Sequence, residues 1–303
     1  MPQTAIGMLK KHGYHAVGHH SAVKTCLWLN KSLRDEGECY KSQFYGIVSH
    51  RCIQMTPILV CNHRCFHCWR AIEIPIAMPD SWDSPQNIVE SCIKEQRCLI
   101  SGYGGSKITN KTKWKEAFAP KHAAISLSGE PTIYPYLPEL IHEFHKKEMT
   151  TFVVTNGTKP EMLETLRPTQ LYLSLNAHNR ESYKKVCSPL EDTWGNILHS
   201  LEVMRDLRTR TAIRITLTKL NMKSPEGFAH LIEIAEPEYV ELKAYMHLGF
   251  SRKRLSRECM PSHEEVMDFS KHVAKTLSYE IADESKTSRV VLLSKSKRDR
   301  FIA

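Results

Sequence analysis

Long apolar runs are missing from this sequence of 303 residues, and no low-complexity tract is present. No apolar run approaches the length of a membrane-spanning helix. The first residues, MPQTAIGMLKKHGYH, lack the apolar stretch and the small-residue cleavage site of a secretory signal. These absences predict a cytoplasmic protein without a membrane partner, and the length suits one large domain with a short extension.

Acidic residues are few relative to basic ones. The sequence has 33 Asp and Glu against 42 Lys and Arg, which gives a net charge of +9 and a pI near 9.0. An excess of positive charge favours an anionic partner, and we expect nucleic acid rather than a membrane surface.

Cysteine is too sparse for a disulfide scaffold. The chain has 10 cysteines, and six of them lie between residues 26 and 68. In a reducing cytoplasm, clustered thiols are more often metal ligands than disulfides. The other four are interpreted as small buried hydrophobic residues. They are Cys92, Cys98, Cys187 and Cys259.

Short β-branched runs alternate with helical patterns from residue 55 onward, which is typical of βα units and a parallel sheet. The predicted strands are 55–60, 123–127, 151–155, 171–175, 212–217 and 239–243. These units predict an α/β fold, namely a partial (β/α)6 TIM-like barrel over residues 55–303. Residues 1–54 are predicted to form a cysteine-rich extension that caps the barrel mouth. Active sites of such sheets lie at the carboxyl ends of the strands.

Cys61, Cys65 and Cys68 follow the first predicted strand in the segment CNHRCFHC. This spacing lets one loop place three thiolates around an iron–sulfur cluster, which normally takes four cysteines. One iron then keeps an open coordination position, as on a catalytic metal. The alternative is a zinc site, but zinc ribbons carry a second Cx2C pair at a distance, which this sequence lacks.

The CxxxCxxC motif after the first strand resembles the radical S-adenosylmethionine (SAM) superfamily. The resemblance implies a radical SAM type of barrel and a 4Fe–4S cluster that binds and cleaves SAM. It also implies that polar groups after later strands hold SAM, with the Glu130 carboxylate accepting from the SAM ammonium. Asn176 stands where the family often has Asp. The implied SAM-contacting residues are Ser128, Gly129, Glu130, Thr155, Asn156, Ser174 and Asn176.

Cys26, Cys39 and Cys52 precede the first predicted strand and are separated by thirteen residues each. Three further thiols beside a cluster-binding loop suggest a second cluster with its own open iron. On spacing alone, free thiols in a poorly packed extension are the alternative.

The segments CLWLNKSL, GECYKSQFYGI and ISLSGEPTIYPYLPELIHEFHKK resemble the 4-demethylwyosine synthases, the radical SAM enzymes of wybutosine synthesis. The resemblance implies a reaction that condenses pyruvate with N1-methylguanosine, 3′ of the anticodon in phenylalanine tRNA. It implies that Cys26, Cys39 and Cys52 carry a second 4Fe–4S cluster, which binds pyruvate. It also implies that Lys41 forms a Schiff base with the pyruvate ketone. A lysine can do so if burial or positive charge lowers its pKa, whereas the alternative is a solvated side chain.

The basic segment GFSRKRLSR, residues 249–257, follows the last predicted strand. Cations neutralise phosphates and an aromatic ring can stack on an extruded base, so this segment predicts a tRNA-binding loop. The alternative is a solvated charged face. The predicted tRNA-binding residues are Arg252, Lys253, Arg254 and Arg257.

These expectations describe a monomer that also needs an electron donor. Two other functions stay open from the sequence. One is a zinc-bound RNA-binding protein without catalytic activity, and the other is a different radical SAM enzyme that modifies tRNA.

Overall fold

The computed structural model of this chain describes residue 7, residues 9–295 and residues 299–302. Its strands belong to one mixed sheet. The strands are β1 (His15–Val17), β2 (Ser21–Val23), β3 (Cys52–Thr56), β4 (His122–Ile125), β5 (Thr150–Thr155), β6 (Gln170–Ser174), β7 (Arg210–Leu217), β8 (Tyr239–Ala244), β9 (Glu280–Ser285) and β10 (Val290–Ser294). They lie in the order β1-β2-β3-β4-β5-β6-β7-β8-β10-β9.

Strands β3 to β8 run parallel to one another, which confirms the predicted βα repeat and the partial α/β barrel. Antiparallel strands that the sequence patterns did not indicate extend both edges. On one edge β2 pairs with β3 and β1 pairs with β2, and on the other β10 pairs with β8 and β9 pairs with β10. The short edge strands satisfy backbone groups that an open barrel would otherwise expose.

Strand β3 lies earlier than predicted. The strand ends at Thr56. Its Oγ1 donates to Ile58 O at 2.6 Å, and this bond turns the chain away from the sheet. Residues 57–60, although apolar, therefore belong to the loop that carries the first cysteine motif. The predicted boundary between residues 54 and 55 falls inside β3, so the extension and the barrel share this strand.

Helices that alternate with the parallel strands cover the outer face of the sheet, and two further helices, within residues 27–45, belong to the N-terminal extension. They are α1 (Leu27–Ser32), α2 (Tyr40–Tyr45), α3 (Pro85–Ser101), α4 (Lys111–Ala117), α5 (Leu137–Lys146), α6 (Pro160–Leu163), α7 (Arg180–Cys187), α8 (Trp194–Asp206), α9 (Pro225–Ala235) and α10 (His263–Leu277). Short 3-10 turns occupy Ser49–Arg51, Gly102–Gly105, Pro131–Ile133, Gly249–Lys253 and Arg257–Cys259. In the described part of the chain, no helix is both long and apolar enough to cross a membrane.

Strand residues alternate between two cores because successive side chains point to opposite faces. Val153 and Leu173 face the helices and belong to the larger core. Phe152 and Tyr172 face the barrel interior and pack against α2. Each such fully buried side chain stabilises the fold by about 1.5–3 kcal/mol. The barrel interior is therefore closed by the N-terminal extension rather than by strand side chains alone.

The extension has two parts with different positions. Its first part, including Leu9 and Tyr14, lies at the mouth and lines the cavity there. In the second part, α2 packs into the interior from the side where the strands begin, whereas α1 packs against α3 and α4. Val48 N, for example, donates to the ring of His122, the first residue of β4. The extension thus covers both ends of the barrel.

Candidate active site

Three cysteine thiols meet in one cavity at the carboxyl ends of the strands. The cavity has a volume of about 290 Å³, and Cys61, Cys65 and Cys68 line it together with Ser128 and Gly129. None of the three is in a disulfide, and all are partly exposed. The structure therefore brings the cysteines of the CxxxCxxC motif together with two of the implied SAM-contacting residues.

The loop that carries these cysteines has little regular structure, and neighbouring elements hold it in place. Phe66 N donates to Val186 O in the last turn of α7 at 3.1 Å. Asn156 Nδ2 donates to Asn62 Oδ1 at 2.7 Å, which joins the loop to the turn after β5. These contacts fix the loop by partners that lie far away in the sequence.

The surroundings of the three thiols suit the binding of a metal cation. Burial raises the pKa of Cys61, and the Glu130 carboxylate raises this pKa further. Burial also raises the pKa of Cys68, with a contribution from Cys65. Thiols in such surroundings keep their protons unless a metal replaces them, as cluster iron does. The donor set therefore fits an iron–sulfur cluster.

Cys187 is a neighbour of the motif that the sequence analysis missed. The Sγ atoms of Cys65 and Cys187 and a ring nitrogen of His63 lie within 4.8 Å of one another. A hydrogen bond with Cys187 is the largest cause that raises the pKa of Cys65, ahead of burial. No sequence signal marks Cys187, because it reaches the loop only through the packing of α7. Cys187 is buried, as predicted for the isolated cysteines, whereas Cys98 is exposed and does not fit that prediction.

Gly129 allows the turn after β4 to approach the cysteine loop closely. Its φ is +70°, and a Cβ there would lie 2.1 Å from Ile58 O. Only glycine adopts this backbone conformation with so little space. The close approach places the Ser128–Gly129 backbone on the wall of the cavity that the cysteines line.

Glu130 is only 2% exposed and is bonded on both carboxylate oxygens. Thr155 Oγ1 and Thr132 Oγ1 each donate to Oε1 at 2.7 Å, and Asn156 N donates to Oε2 at 2.8 Å. Burial raises the pKa of Glu130, and these hydrogen bonds oppose the rise. The carboxylate thus joins the ends of β4 and β5, and its predicted contact with the SAM ammonium stays a prediction.

Ser174 and Asn176 follow each other at the end of β6 but have different surroundings. Ser174 is partly exposed and shares the inward face of the strand with Tyr172. Asn176 is 7% exposed, and its Oδ1 accepts from Thr216 N at 2.9 Å. Asn176 therefore joins the segment after β6 to the carboxyl end of β7.

The second set of cysteines also comes together, inside the barrel. Cys26 Sγ caps α1 by accepting from Leu29 N at 3.3 Å, Cys39 precedes α2, and Cys52 begins β3. Burial raises the pKa of Cys26 to about 11, and Cys39 contributes to this rise. Cys52 interacts electrostatically with both of the others. Three distant sequence positions thus form one thiol cluster in a packed extension.

Lys41 lies beside this thiol cluster and between two aromatic rings. Its Nζ is 4.6 Å from the ring centroid of Phe152 and 4.4 Å from that of Tyr172. Burial lowers the pKa of Lys41 to about 8, and the charge of Arg214 lowers it as well, whereas Cys39 opposes the change. Lys41 is therefore an enclosed amine rather than a solvated surface lysine.

A buried ion network surrounds Lys41. Glu241 is fully buried, accepts from Arg214 Nε at 2.9 Å and also accepts from the Tyr40 and Tyr45 hydroxyls. Lys243 lies nearby, and burial lowers its pKa to about 8. The positive charges of Arg214, Lys41 and Lys243 all interact with the Glu241 carboxylate. Together these four side chains carry an excess of positive charge. Such an excess favours an anionic ligand.

The basic loop after β8 lies on the cysteine loop at the mouth. Arg252, Lys253 and Arg257 are exposed, as a nucleic-acid contact requires. Arg254 is instead turned inward, with a side chain that is 14% exposed. Trp69, which the sequence analysis did not single out, lines the cavity and is 42% exposed. An exposed ring beside cations is typical of surfaces that stack on single-stranded bases.

Known proteins are similar to this chain in sequence over nearly all of its length. The family model described as the radical SAM superfamily matches residues 55–232, and the one described as wyosine base formation matches residues 234–295. An S-adenosyl-L-methionine-dependent tRNA 4-demethylwyosine synthase from Pyrococcus abyssi is 50% identical, and the match covers 99% of this chain and 91% of that protein. One from Methanocaldococcus jannaschii is 41% identical, and the match covers 98% of each.

Solved structures agree with the sequence matches. A structure of TYW1 with a lysine–pyruvate adduct bound is 41% identical, with a TM-score of 0.91, and the match covers 100% of this chain and 98% of that one. A crystal structure of an archaeal TYW1 is 37% identical, with a TM-score of 0.84, and the match covers 100% of both chains. The chain therefore belongs to the radical SAM superfamily and, within it, to the S-adenosyl-L-methionine-dependent tRNA 4-demethylwyosine synthases.

Proposed function

We propose that this chain condenses pyruvate with N1-methylguanosine, 3′ of the anticodon in phenylalanine tRNA, and so forms 4-demethylwyosine. As a radical SAM enzyme of the wyosine pathway it uses SAM and a 4Fe–4S cluster. The alternative of a zinc-bound protein without catalytic activity is therefore wrong. One observation carries the finer proposal: the same barrel holds three thiols at its mouth and three thiols with Lys41 in its interior.

The mouth supplies the radical half of the reaction. Cys61, Cys65 and Cys68 would hold the cluster and leave one iron without a protein ligand for SAM. When bound, the cluster and SAM supply a 5′-deoxyadenosyl radical that takes hydrogen from the N1-methyl group. The chain's own part is to position the reactants. The backbone at Ser128 and Gly129 forms one wall, and Glu130 holds the turn after β5 against it.

The interior supplies the pyruvate half. We propose that Cys26, Cys39 and Cys52 carry a second 4Fe–4S cluster. The amine of Lys41 attacks the ketone carbon of pyruvate, and water leaves as the carbon–nitrogen double bond of the Schiff base forms. The positive charge around Glu241 supports binding of a carboxylate here. The similar structure with a lysine–pyruvate adduct supports the same assignment.

Ring formation joins the two halves. The methyl-derived carbon radical bonds to the imine carbon that was the ketone carbon of pyruvate. The bond from that carbon to the carboxylate then breaks and the imine re-forms. The carboxyl carbon leaves as carbon dioxide, and the one electron released balances the electron that the donor supplies for SAM cleavage. The exocyclic amine of guanine then displaces Lys41 by imine exchange, which closes the third ring and frees the lysine. We propose that an electron donor supplies the reducing equivalents and that the chain acts as a monomer in the cytoplasm.

The mouth is also where tRNA would bind. Arg252, Lys253 and Arg257 project from the loop that borders the cavity, so they can contact phosphates around the anticodon. The exposed ring of Trp69 can stack on an unpaired base at the same opening. The net charge of +9 supports an anionic macromolecule as the substrate.

The decisive experiment combines anaerobically reconstituted protein with SAM, a reductant, tRNA that contains N1-methylguanosine, and isotopically labelled pyruvate. Nucleoside mass analysis should show the tricyclic base with label from the methyl and ketone carbons of pyruvate and none from its carboxyl carbon. Release of 5′-deoxyadenosine without a labelled tricyclic base would contradict the proposal while leaving the radical SAM assignment intact.

A further inference from the structure

Arg254 departs from the other cations of the basic loop. Its neighbours Arg252 and Lys253 are exposed, but its guanidinium reaches under the cysteine loop. There it donates to the carbonyl oxygens of Phe66 and Arg70 at 3.3 Å each, and to that of Cys68. It also forms an ion pair with the Glu73 carboxylate.

The backbone of the basic loop docks on the same segment. Phe250 N donates to Trp69 O at 3.1 Å. Gly249 has a φ of +56°, and a Cβ there would lie 2.5 Å from Trp69 O. One short stretch of the loop after β8 thus binds four carbonyls at and around Cys68, those of Phe66, Cys68, Trp69 and Arg70.

The chemistry of these contacts explains why arginine is present. The cysteine loop has little regular structure in this region, so its carbonyls need donors from elsewhere. A guanidinium offers five N–H groups in a fixed planar arrangement and can bind several carbonyls and a carboxylate at once. A lysine ammonium cannot reproduce this geometry with its single nitrogen.

We propose that Arg254 is a positioning residue that fixes the Cys68 side of the cluster loop and couples it to the tRNA-binding loop. Arg252 and Lys253 contact tRNA, and Arg254, next in the chain, transmits the position of the loop to Cys68. The coupling rests on the proposed tRNA-binding function of the loop. The effect of Arg254 on the cluster itself does not depend on that function.

Two variants separate the two roles. Arg254→Gln removes the charge and most of the donors, and Arg252→Gln with Lys253→Gln removes the exposed cations. We expect Arg254→Gln to alter the electron paramagnetic resonance (EPR) spectrum of the reduced cluster and the change in that spectrum on adding SAM. Its tRNA affinity at low salt should stay within about twofold of the parent. The double variant should keep the parent spectra and lower the slope of tRNA affinity against salt by about two.

The coupling has its own readout. Adding tRNA to the parent should change the EPR spectrum of the SAM-bound cluster, and adding it to Arg254→Gln should not. Arg254→Lys should resemble Arg254→Gln, because it restores charge without the planar donors. A thermal melt of each reconstituted variant checks that the fold is retained. Glu73→Gln keeps the contacts of Arg254 with the carbonyls, so its EPR spectrum should change less than that of Arg254→Gln.

Two results would overturn the proposal. One is a folded Arg254→Gln variant with the parent EPR spectrum with and without SAM. The other is a loss of tRNA affinity in Arg254→Gln as large as in the double variant, which would make Arg254 a phosphate contact. If the parent itself does not bind tRNA, the proposed tRNA surface fails, and the EPR comparison still decides the role of Arg254 at the cluster.

Discussion

Cys52 is the first residue of β3, and Cys61 lies beyond the other end of the same strand. A strand of five residues spans roughly 13 Å between its end residues. The strand therefore has a proposed ligand of one cluster at its start and leads into the loop that carries a proposed ligand of the other. Because Cys52 lies at the start of the strand and Cys61 lines the cavity at the mouth, we expect that each proposed cluster can be removed separately.

We predict that the two cysteine sets fail in different ways. Cys65→Ala should abolish the release of 5′-deoxyadenosine from SAM, whereas Cys39→Ala should keep this release and stop formation of the tricyclic base. Each variant should hold about four iron atoms, against about eight in the parent. Iron analysis and chromatography of the SAM products measure both effects. Ring formation that survives in Cys39→Ala would refute the second cluster.

Lys41 should be the lysine that traps pyruvate. Borohydride reduction of the parent with pyruvate should give a stable adduct, which intact-protein mass analysis detects and peptide mapping places at Lys41. Lys41→Arg should give no adduct, because a guanidinium is not a nucleophile at neutral pH. Lys243→Arg is the matched control in the same buried network, and we expect it to keep the adduct. An adduct on Lys243 in the parent would show that Lys243, and not Lys41, forms the Schiff base.

Gly129→Ala should be strongly destabilising. The added methyl group would meet Ile58 O, and the residue must keep a φ of +70°. We expect a loss of about 2–4 kcal/mol in the free energy of unfolding, measured by denaturant titration. Gly195→Ala is the control, since nothing lies within 4 Å of its Cβ and the residue is in helix α8. That variant should be neutral or more stable by about 0.5–1 kcal/mol.

Glu130→Gln should separate fold from cofactor binding. The substitution leaves one of the donors from Thr132, Thr155 or Asn156 facing an amide N–H, so we expect a loss of about 1–3 kcal/mol in the free energy of unfolding. If the carboxylate also accepts from the SAM ammonium, the affinity of the folded variant for SAM should fall as well. Calorimetric titration of the reconstituted protein with SAM measures this. Unchanged SAM affinity would restrict Glu130 to its structural role.

Local pattern was enough for the parallel strands and for both cysteine sets. The strands are β-branched segments between helical patterns, and five of the six lie within a few residues of their predicted positions. The exception, β3, ends early because the Thr56 hydroxyl bonds to Ile58 O, a contact that alternation of residue types does not encode. The edge strands β1 and β2 were missed because they have three residues each, and β9 and β10 were missed because they form an antiparallel pair outside the βα alternation.

The sequence by itself determined the repeating βα order, the three-cysteine loop after the first parallel strand and the excess of positive charge, because each depends on residues close together or on composition. Tertiary structure alone decided which groups meet. It placed the Lys41 amine over the rings of Phe152 and Tyr172, placed Cys187 against Cys65 and turned Arg254 away from solvent. These are contacts between distant parts of the chain, and they form only when helices and loops pack against the sheet.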